Sequence, residues 1–350
     1  MYNFEYIGNL HIHSTHSDGA EDIPTIARVA ARVGLDFVCL NDHGVLMDRL
    51  HVEEEGFYNS VLLLVGVEFG KRYHHYLAYN LVETVTGAHV GPQEVIDLVN
   101  QRGGFGFLAH PFEKGMPFLK KSTAYTWNEL SVKGYTGICI WNFSSRWKER
   151  VKSLAHGIFH LLFKHSTLKG PSQKTLSFWD AVCRERRVVG IGGSDAHATD
   201  FHWGPIRFKP LTYDLLLNTI NVHILLSAKL SSTLAPAKKE IYGALKSGRL
   251  FTAHDGLCPA KGFRFDFIAD EGPGLAMGGE GAFQKGALMI RTPRAGKIRL
   301  IKDGALVEQR LGVETDYRVK EKGVYRVEVF YKIPFFGWRP WIFSNPIYLR

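Results

Sequence analysis

Four apolar segments of the chain each end at residues that can bind a metal ion. The segments span residues 37–41, 61–67, 106–109 and 188–193. Near-continuous apolar runs are typical of strands that are buried on both faces, as in parallel sheets. Ligands at the carboxyl ends of parallel strands lie on the side where barrel enzymes keep their chemistry. The candidate ligands at or just beyond these ends are Asp42, His43, Glu68, His110, Asp195 and His197.

The N-terminal stretch from Asn9 to Gly19 adds a fifth set of candidate ligands. His11 and His13 are two residues apart, so on an extended strand both imidazoles point to one side. Asp18 follows closely, and Gly19 allows a sharp turn after it. Neutral imidazole and carboxylate suit zinc, iron or manganese. Two surface histidines on an edge strand are the alternative, but five such sets in one chain favour a metal site.

Taken in order, these motifs resemble the PHP (polymerase and histidinol phosphatase) superfamily of metal-dependent phosphoesterases. Asn9 departs from the family pattern, in which an Asp often precedes the first histidine pair. We expect that position to orient a ligand, so that the change does not remove a metal. The matching motifs are His11-x-His13 with Asp18, Asp42-His43, Glu68, His110-Pro111 and Asp195-x-His197.

The resemblance implies two or three divalent ions (zinc, iron or manganese) and a hydroxide nucleophile that bridges the first two. It implies that Glu68 bridges two ions, and that His75 is a ligand in preference to His74 because of the residues that follow it. The implied ligands are His11, His13, Glu68 and Asp195 for the first ion, Glu68, His75 and His110 for the second, and Asp18, His43 and His197 for the third.

Catalytic roles are assigned to Glu68, Asp195 and His197, and also to His202 as a group that could protonate a leaving group. A surface histidine is an equal alternative for His202. Asp42 either orients a ligand or caps the next turn.

The pattern along the chain predicts alternating strands and helices, with helices over residues 20–35, 92–103 and 175–187. This alternation is typical of a parallel α/β barrel or sheet, and the resemblance implies a distorted seven-stranded barrel. After residue 255, glycine-rich turns and short alternating runs predict a small β-sandwich. We therefore predict a hydrolase barrel over 1–255 and a β-sandwich over 256–350. The terminal run 337–348 resembles the carbaryl-hydrolase-like branch of the family, although Cys139 stands where that branch commonly has Glu.

The formal charge of the chain is +9, and it is unevenly distributed. Residues 146–174 hold seven Lys or Arg and a single acid, Glu149. This segment is a solvated face, a patch for nucleic acid or membrane, or a wall that guides anions. Its place after a strand end favours the third reading, with Arg146 and Lys148 as substrate-binding residues. Within it, apolar residues at helical spacing predict a helix packed on the barrel in preference to one lying on a membrane.

The composition favours a cytoplasmic protein that does not enter a membrane. The four cysteines are far apart and form no CxxC pair, which suits a reducing compartment. Met1–Glu5 lacks the features of a signal peptide, and no apolar run approaches the roughly 20 residues of a bilayer span. The sequence does not indicate an oligomeric state.

These observations predict a hydrolase that acts on small phosphate mono- or diesters, with an anionic phosphate ester as its partner. One alternative is a 3′–5′ exonuclease, suggested by the basic segment, although no nucleic-acid-binding module is recognised. A second alternative is a carboxyl or carbamate ester hydrolase, as in the carbaryl-hydrolase-like branch. A third is a non-catalytic metal-binding module, which the complete ligand set disfavours.

Overall fold

The computed structural model describes residues 2–70, 72–84, 91–118, 124–199, 201–203 and 206–350, with the backbone alone described at 201–203 and 206–208. The helices are α1 (Ile23–Arg32), α2 (Pro92–Gln101), α3 (Phe143–Lys148), α4 (Leu154–Leu162), α5 (Lys164–Thr167), α6 (Gln173–Glu185), α7 (Tyr213–Leu217) and α8 (Leu234–Ser247).

The strands are short in the first half of the chain and longer after residue 285. In order they are β1 (Phe4–Ile12), β2 (Phe37–His43), β3 (Gly56–Tyr58), β4 (Val61–Phe69), β5 (Tyr76–Tyr79), β6 (Phe105–Leu108), β7 (Gly137–Asn142), β8 (Val189–Gly193), β9 (Phe201–Trp203), β10 (Ile206–Phe208), β11 (Ile220–Leu226), β12 (Leu250–His254), β13 (Arg264–Ala269), β14 (Leu275–Ala276), β15 (Glu280–Gly281), β16 (Gly286–Lys302), β17 (Ala305–Val319), β18 (Gly323–Ile333), β19 (Gly337–Ser344) and β20 (Ile347–Leu349).

The predicted helices form with shorter bounds than the sequence pattern suggests. The predicted helix 20–35 is α1, whose first turn is capped by the Asp22 carboxylate accepting a hydrogen bond from the Thr25 N–H at 2.9 Å. It ends before Gly34, whose φ of +83° few other residues adopt. The helices predicted at 92–103 and 175–187 are α2 and α6.

Seven strands follow one another as hydrogen-bonded neighbours, in the order β1, β2, β4, β5, β6, β7 and β8. Beyond β8 the chain returns to β1, where the Ser194 N–H donates to the Leu10 carbonyl at 3.2 Å. A parallel bridge between Ile12 and Ala196 extends this contact. The carboxyl ends of β1, β2, β4, β7 and β8 therefore lie on one side.

Strand β5 is a correction to the predicted all-parallel arrangement, because it runs antiparallel to both β4 and β6. Only residues 70–75 separate it from β4. A connection that short makes a hairpin, whereas a parallel crossover needs a dozen or more residues. The amino end of β5 therefore lies beside the carboxyl ends of its neighbours.

The strands after residue 255 continue the same sheet. Strand β12 pairs with β11 on one side and with β19 on the other, and β19 pairs with β18. In the part of the chain that is described, every strand except β9 and β10 belongs to this one mixed β-sheet. The division into two domains at residue 255 stays a prediction, with hydrogen-bonded strands on both sides of the boundary.

Two buried contacts fix the C-terminal strands to earlier parts of the chain. The Asn345 side chain accepts from the Gly190 N–H at 2.7 Å and donates to the Gly190 carbonyl at 2.8 Å. The Arg326 guanidinium, which is buried, donates to both Asp180 oxygens at 2.6 and 2.8 Å and to Glu328 at 2.8 Å. Strand β8 and helix α6 are therefore held by residues far downstream.

The apolar interior explains several sequence expectations. Cys39 and Cys139 are buried among strand residues, as predicted, and all four cysteines are free. Helix α4 departs from its prediction: Leu161 packs against the core, but Leu154, Ile158 and Leu162 are exposed. Among the described helices, none combines the length and the apolar character needed to cross a bilayer.

His223 is a fully buried histidine whose protonation is expected to stabilise the fold. Its Nδ1 lies 2.8 Å from Glu5 Oε1, and its Nε2 lies 2.9 Å from Asp255 Oδ2. Burial alone would lower the pKa of His223, but the two carboxylates raise it to about 9. Because this value lies above that of the unfolded chain, the stabilisation is complete below pH of about 6.5 and is lost as pH rises through about 9.

We expect the free energy of unfolding to fall between pH 6 and pH 9.5 by on the order of 3 kcal/mol through this group. Urea unfolding of the wild-type protein and of His223→Gln at both pH values measures it. The Gln side chain cannot take up the proton, so its stability is expected to change less over this range. Equal pH dependence in the two proteins would contradict the prediction.

Candidate metal centre

One carboxylate oxygen of Glu68 faces three histidines from two other strands. Glu68 is the second-last residue of β4, and its side chain is almost completely buried. Its Oε2 lies 3.2 Å from His11 Nε2, 3.4 Å from His13 Nε2 and 3.2 Å from His43 Nδ1. His11 and His13 stand at the end of β1, and His43 ends β2.

The other oxygen of Glu68 faces two further histidines. Its Oε1 lies 2.7 Å from His75 Nδ1 and 3.4 Å from His110 Nε2. His75 directly precedes β5, so the reversed direction of that strand is what brings its ring to this side. His74 is turned away and contacts Asn128. The structure thus places His75 at the centre and His74 outside it.

Asp195 and Asp18 extend the cluster toward His197. Asp195 Oδ1 lies 3.4 Å from His11 Nε2 and 3.4 Å from His197 Nδ1. Asp18 Oδ1 lies 3.3 Å from His197 Nε2, and its Oδ2 lies 3.7 Å from His43 Nε2. All nine predicted ligands therefore meet in one region.

The grouping of these ligands differs in part from the scheme that the resemblance implies. His75 groups with His43 and Glu68, whereas His110 groups with His11 and Asp195. The implied scheme places His75 and His110 together with Glu68, and both do lie beside its Oε1 atom. Among the nine candidate ligands, the sets whose ligand atoms lie within 4.8 Å of one another are His13, Asp18, His43 and His197; His11, His110 and Asp195; His11, His13 and Glu68; and His43, Glu68 and His75. A fifth set, His16, His51 and Glu54, lies outside these nine residues.

Three of the ligand positions have an unusual backbone conformation. His11, His110 and Asp195 have φ angles of 64°, 28° and 54°. Non-glycine residues seldom adopt positive φ, and such strain concentrates at functional sites. At His11 it coincides with a bulge, where the register between β1 and β2 shifts. The backbone is therefore strained at three of the positions where the candidate ligands converge.

Six buried imidazole nitrogens of the cluster make no hydrogen bond within the described part of the structure, although Glu68 Oε2 lies 3.2–3.4 Å from three of them. The six are both nitrogens of His11 and of His13, Nδ1 of His43 and Nε2 of His75. A buried polar atom without a partner costs about 1–3 kcal/mol. Divalent ions would bind these nitrogens and remove the cost. The donor set of imidazoles and carboxylates therefore fits zinc, iron or manganese.

The electrostatics at Glu68 and at His13 favour the protonation states that metal ligands need. Burial works to raise the pKa of Glu68, but the imidazoles of His11 and His75 hold it well below the ordinary value. Burial also lowers the pKa of His13 to about 3, which keeps its ring neutral. An ionised carboxylate and a neutral imidazole are the forms that bind metals.

Neighbouring polar residues fix the ligand-bearing loops. Asp42 accepts hydrogen bonds from the Ser14 N–H at 2.7 Å and from the Ser17 hydroxyl at 2.5 Å, which holds the loop that carries Asp18. Asn142 donates to Asp195 Oδ2 at 3.2 Å and also caps α3. Asp42 therefore holds the loop that carries Asp18. Asn142 holds the ligand Asp195 and also caps helix α3.

Asn9, the departure from the family pattern, also has a supporting contact. Its side-chain oxygen accepts a hydrogen bond from the Ser194 hydroxyl at 2.6 Å, and its amide donates to Asn221 Oδ1 at 2.8 Å. Ser194 directly precedes Asp195, so Asn9 positions that ligand without touching it. This contact also gives Ser194 a structural role.

A cavity of about 210 Å³ opens above the candidate ligands. Its walls include Met116, Trp147 and Leu216, and Lys148 supplies a cationic side chain. Burial would lower the pKa of Lys148, but Glu113, Asp195 and other acidic groups raise it, so the amine stays charged. The cavity therefore offers a small, partly apolar space to which Lys148 contributes a positive charge.

Arg146, the other member of the predicted substrate-binding pair, lies outside this cavity, and its substrate role stays a prediction. Its guanidinium pairs with Glu149 and donates to the Gly170 carbonyl at 2.9 Å. Three residues before Glu149 in α3, it is directed along the helix toward that partner. Lys148 lines this cavity, whereas Arg146 lines a smaller neighbouring pocket together with His110.

Glu113 is a residue that the sequence reasoning missed. It is buried, and its Oε2 lies 3.3 Å from His110 Nδ1 while its Oε1 lies 3.8 Å from Lys148 Nζ. A carboxylate three residues after a candidate ligand was the available signal. The side chain of His202, in β9, lies outside the described part of the structure, so its role stays a prediction.

We expect Lys148→Gln to raise the KM for a phosphate ester about tenfold, because a fixed cation that attracts the anion is removed. The increase is expected to shrink as salt brings the Debye length below about 8 Å. Initial rates at low and high salt measure both effects. Lys152→Gln, at an exposed position that does not line the cavity, is the control. An unchanged KM in Lys148→Gln at low salt would contradict the prediction.

The chain is a mixed α/β protein. Its buried imidazoles and carboxylates meet at strand ends below a small cavity and form a candidate metal site with several ligands. Residues 9–139 match the family model of the PHP domain. This match includes the first seven candidate ligands in chain order and ends before Asp195.

Solved structures of similar proteins carry related descriptions. A two-domain protein from Bacteroides vulgatus ATCC 8482, containing a predicted PHP-like metal-dependent phosphoesterase, is 17% identical over 93% of this chain and 90% of its own, with a TM-score of 0.45. A candidate metal-dependent phosphoesterase from Bifidobacterium adolescentis ATCC 15703 is 16% identical over 59% of this chain and 92% of its own, with a TM-score of 0.33. No curated protein matches this chain significantly.

Proposed function

We propose that this chain is a metal-dependent phosphoesterase that hydrolyses small phosphate mono- or diesters. The observation that carries the proposal is the position of Glu68, a buried carboxylate with five imidazoles within 3.4 Å of its two oxygens. Such a carboxylate, unpaired, would be costly to bury, and cations shared between its oxygens remove that cost. A PHP domain and a cationic cavity wall support the same assignment.

The nine ligands would hold two or three divalent ions of zinc, iron or manganese, with Glu68 shared between two of them. When bound, such ions polarise a phosphoryl oxygen and acidify water to give a nucleophile at neutral pH. The side chains of the cavity would bind the substrate and exclude water. Lys148 binds the phosphoryl anion, while Met116, Trp147 and Leu216 limit the water that enters the cavity.

His110 is the ligand that Glu113 positions. Burial alone would lower the pKa of His110, but the nearby Glu68 and Glu113 carboxylates raise it to about 9. His110 Nδ1 lies 3.1 Å from the Tyr125 carbonyl and 3.3 Å from Glu113 Oε2, and Nε2, 3.4 Å from Glu68, is the nitrogen that would bind an ion. We propose that Glu113 sets the ring orientation through its contact with Nδ1.

The fold that we propose around this site is the distorted seven-stranded barrel of the PHP family. Its support is the succession of seven strands and the return of the chain from Ser194 to Leu10. In this proposal, the strands after residue 255 form a C-terminal sandwich that docks on the barrel through β12 and β19.

The test is a substrate panel on protein loaded separately with zinc, iron and manganese. The panel holds p-nitrophenyl phosphate, bis-(p-nitrophenyl) phosphate, p-nitrophenyl acetate and a single-stranded DNA oligonucleotide. We expect turnover of a small phosphate ester that a chelator abolishes and added metal restores. Faster cleavage of the carboxyl ester or of DNA would overturn the substrate assignment, and metal-independent turnover would overturn the mechanism.

A further inference from the structure

A large apolar surface is exposed next to the cavity, and the proposed hydrolysis does not use it. We call it the α4 surface. Leu154, Ile158 and Leu162 are spaced by four residues and lie along one face of α4, and Leu162 is 72% exposed. Exposed apolar patches on soluble proteins mark sites of interaction. The α4 surface consists of Leu154, Ile158, Phe159, Leu162, Phe163 and Phe335.

The α4 surface is continuous, although it is built from separate parts of the chain. The ring centroids of Phe163 and Phe336 are 5.3 Å apart, which joins the end of α4 to the turn between β18 and β19. Phe335, at the tip of that turn, is fully exposed and has a φ of 63°. The Arg339 Nε donates to the Ser166 carbonyl and fixes the turn against α5. A rigid turn therefore presents a phenylalanine beside the exposed face of α4.

The charge around the α4 surface has one sign. The segments that build and border it, residues 114–118, 150–169 and 332–339, contain seven Lys or Arg and no Asp or Glu. Lys152 and Lys332 are exposed. The whole chain carries +9, so the field around this surface attracts anions. Apolar side chains within a basic rim are the pattern of a helix that lies in the surface of an anionic bilayer.

The surface also adjoins the cavity. The Phe118 N–H donates to the Val151 carbonyl at 3.0 Å, which ties the loop after β6 to the chain just before α4. In that loop, Met116 lines the cavity, and Lys148 lines it six residues before Leu154. A flat anionic partner on the α4 surface would therefore lie beside the entrance of the candidate active site.

We infer that the α4 surface docks the protein onto a membrane that contains anionic phospholipids. Leu162, Ile158 and Phe335 enter the boundary between headgroups and acyl chains, while the basic rim contacts the headgroups. The charge complementarity favours lipid over a second copy of this chain, whose same surface would carry the same positive charge. Docking does not depend on hydrolysis, so its test is independent of the proposed function.

The experiment is co-sedimentation of the full chain with vesicles of phosphatidylcholine alone and with 30% phosphatidylserine. We expect binding to the anionic vesicles only, weakened by salt. The double variant Leu162→Glu/Phe335→Glu is expected to lower the partition coefficient more than tenfold, because two apolar contacts are replaced by charges that anionic lipid repels. Lys152→Gln is expected to lower it about fivefold.

The matched control is Leu311→Glu, in β17, because Leu311 is 70% exposed and lies outside the α4 surface. It is expected to bind vesicles as the wild type does. Equal loss of binding in Leu311→Glu, or no binding of the wild type to anionic vesicles, would overturn the inference. So would a wild-type dimer that Leu162→Glu dissociates in sedimentation velocity without any vesicle binding, since the surface would then join two copies.

Discussion

The Glu68→Gln variant is expected to lose metal from the ligand groups that share Glu68 and to lose more than about a hundredfold in kcat. The amide keeps the shape of the side chain but removes its charge and leaves one good ligand oxygen in place of two. The histidines on both sides of the carboxylate would then lack their common anion. Elemental analysis of dialysed protein, together with turnover of a phosphate ester, measures both effects. The group of Asp18 and His197 is expected to keep part of its metal.

Glu55→Gln is the matched control for this prediction. Glu55 is also buried beside β4, where its Oε1 accepts from the Val65 N–H at 3.0 Å and its Oε2 pairs with Lys238. It lies in none of the ligand groups. We therefore expect normal metal content in Glu55→Gln. Full metal occupancy and normal activity in Glu68→Gln would show that Glu68 is not shared between ions, and the proposed mechanism would be abandoned.

The second large effect is expected from Arg326→Met. The Arg326 side chain is 3% exposed and bridges Asp180 of α6 and Glu328 of β18. Glu328 also pairs with Arg299, but Asp180 would be left as a buried carboxylate without this cation. Breaking a buried pair by removing one partner typically costs about 3–5 kcal/mol. We expect the free energy of unfolding, measured with urea, to fall by that amount.

Arg318→Met is the control that separates the effect of burial from the effect of the two-bond geometry of the pair. Arg318 donates to both oxygens of Asp270 at 2.8 and 2.7 Å, much as Arg326 does to Asp180, but the two side chains are 59% and 42% exposed. Exposed pairs contribute about 0–1 kcal/mol. A loss of stability in Arg318→Met as large as in Arg326→Met would contradict the role given to burial.

The candidate ligands could be predicted from the sequence because local signals mark them. Glu68 and His43 end apolar runs, and a strand that is buried on both faces fixes where its end lies. The spacing of His11 and His13 likewise predicted that both rings lie on one side at the end of β1. The bulge at His11 could not be predicted from the sequence. These ligands could be identified because the signal lies in the few residues next to each of them in the sequence.

The parts that were missed depend on contacts between distant residues. The direction of β5 follows from its pairing with both β4 and β6, and the grouping of His75 with His43 follows from that direction. The pairing of β12 with β19 joins segments about 90 residues apart, and no local pattern in either segment indicates its partner. Exposure of Leu162 likewise could not be read from helical spacing, which identifies a face but not what covers it.

The hydrogen bonds between Asn345 and Gly190 have a consequence for the order of events during protein synthesis. The two residues are 155 positions apart, and a ribosome that adds about 5–20 residues per second needs roughly 8 to 30 seconds to make that interval. For most of this time every ligand from His11 to His197 has been translated, while the Asn345 side chain that bonds to β8 has not. The nascent chain therefore carries the full set of candidate ligands before the contact between Asn345 and β8 can form.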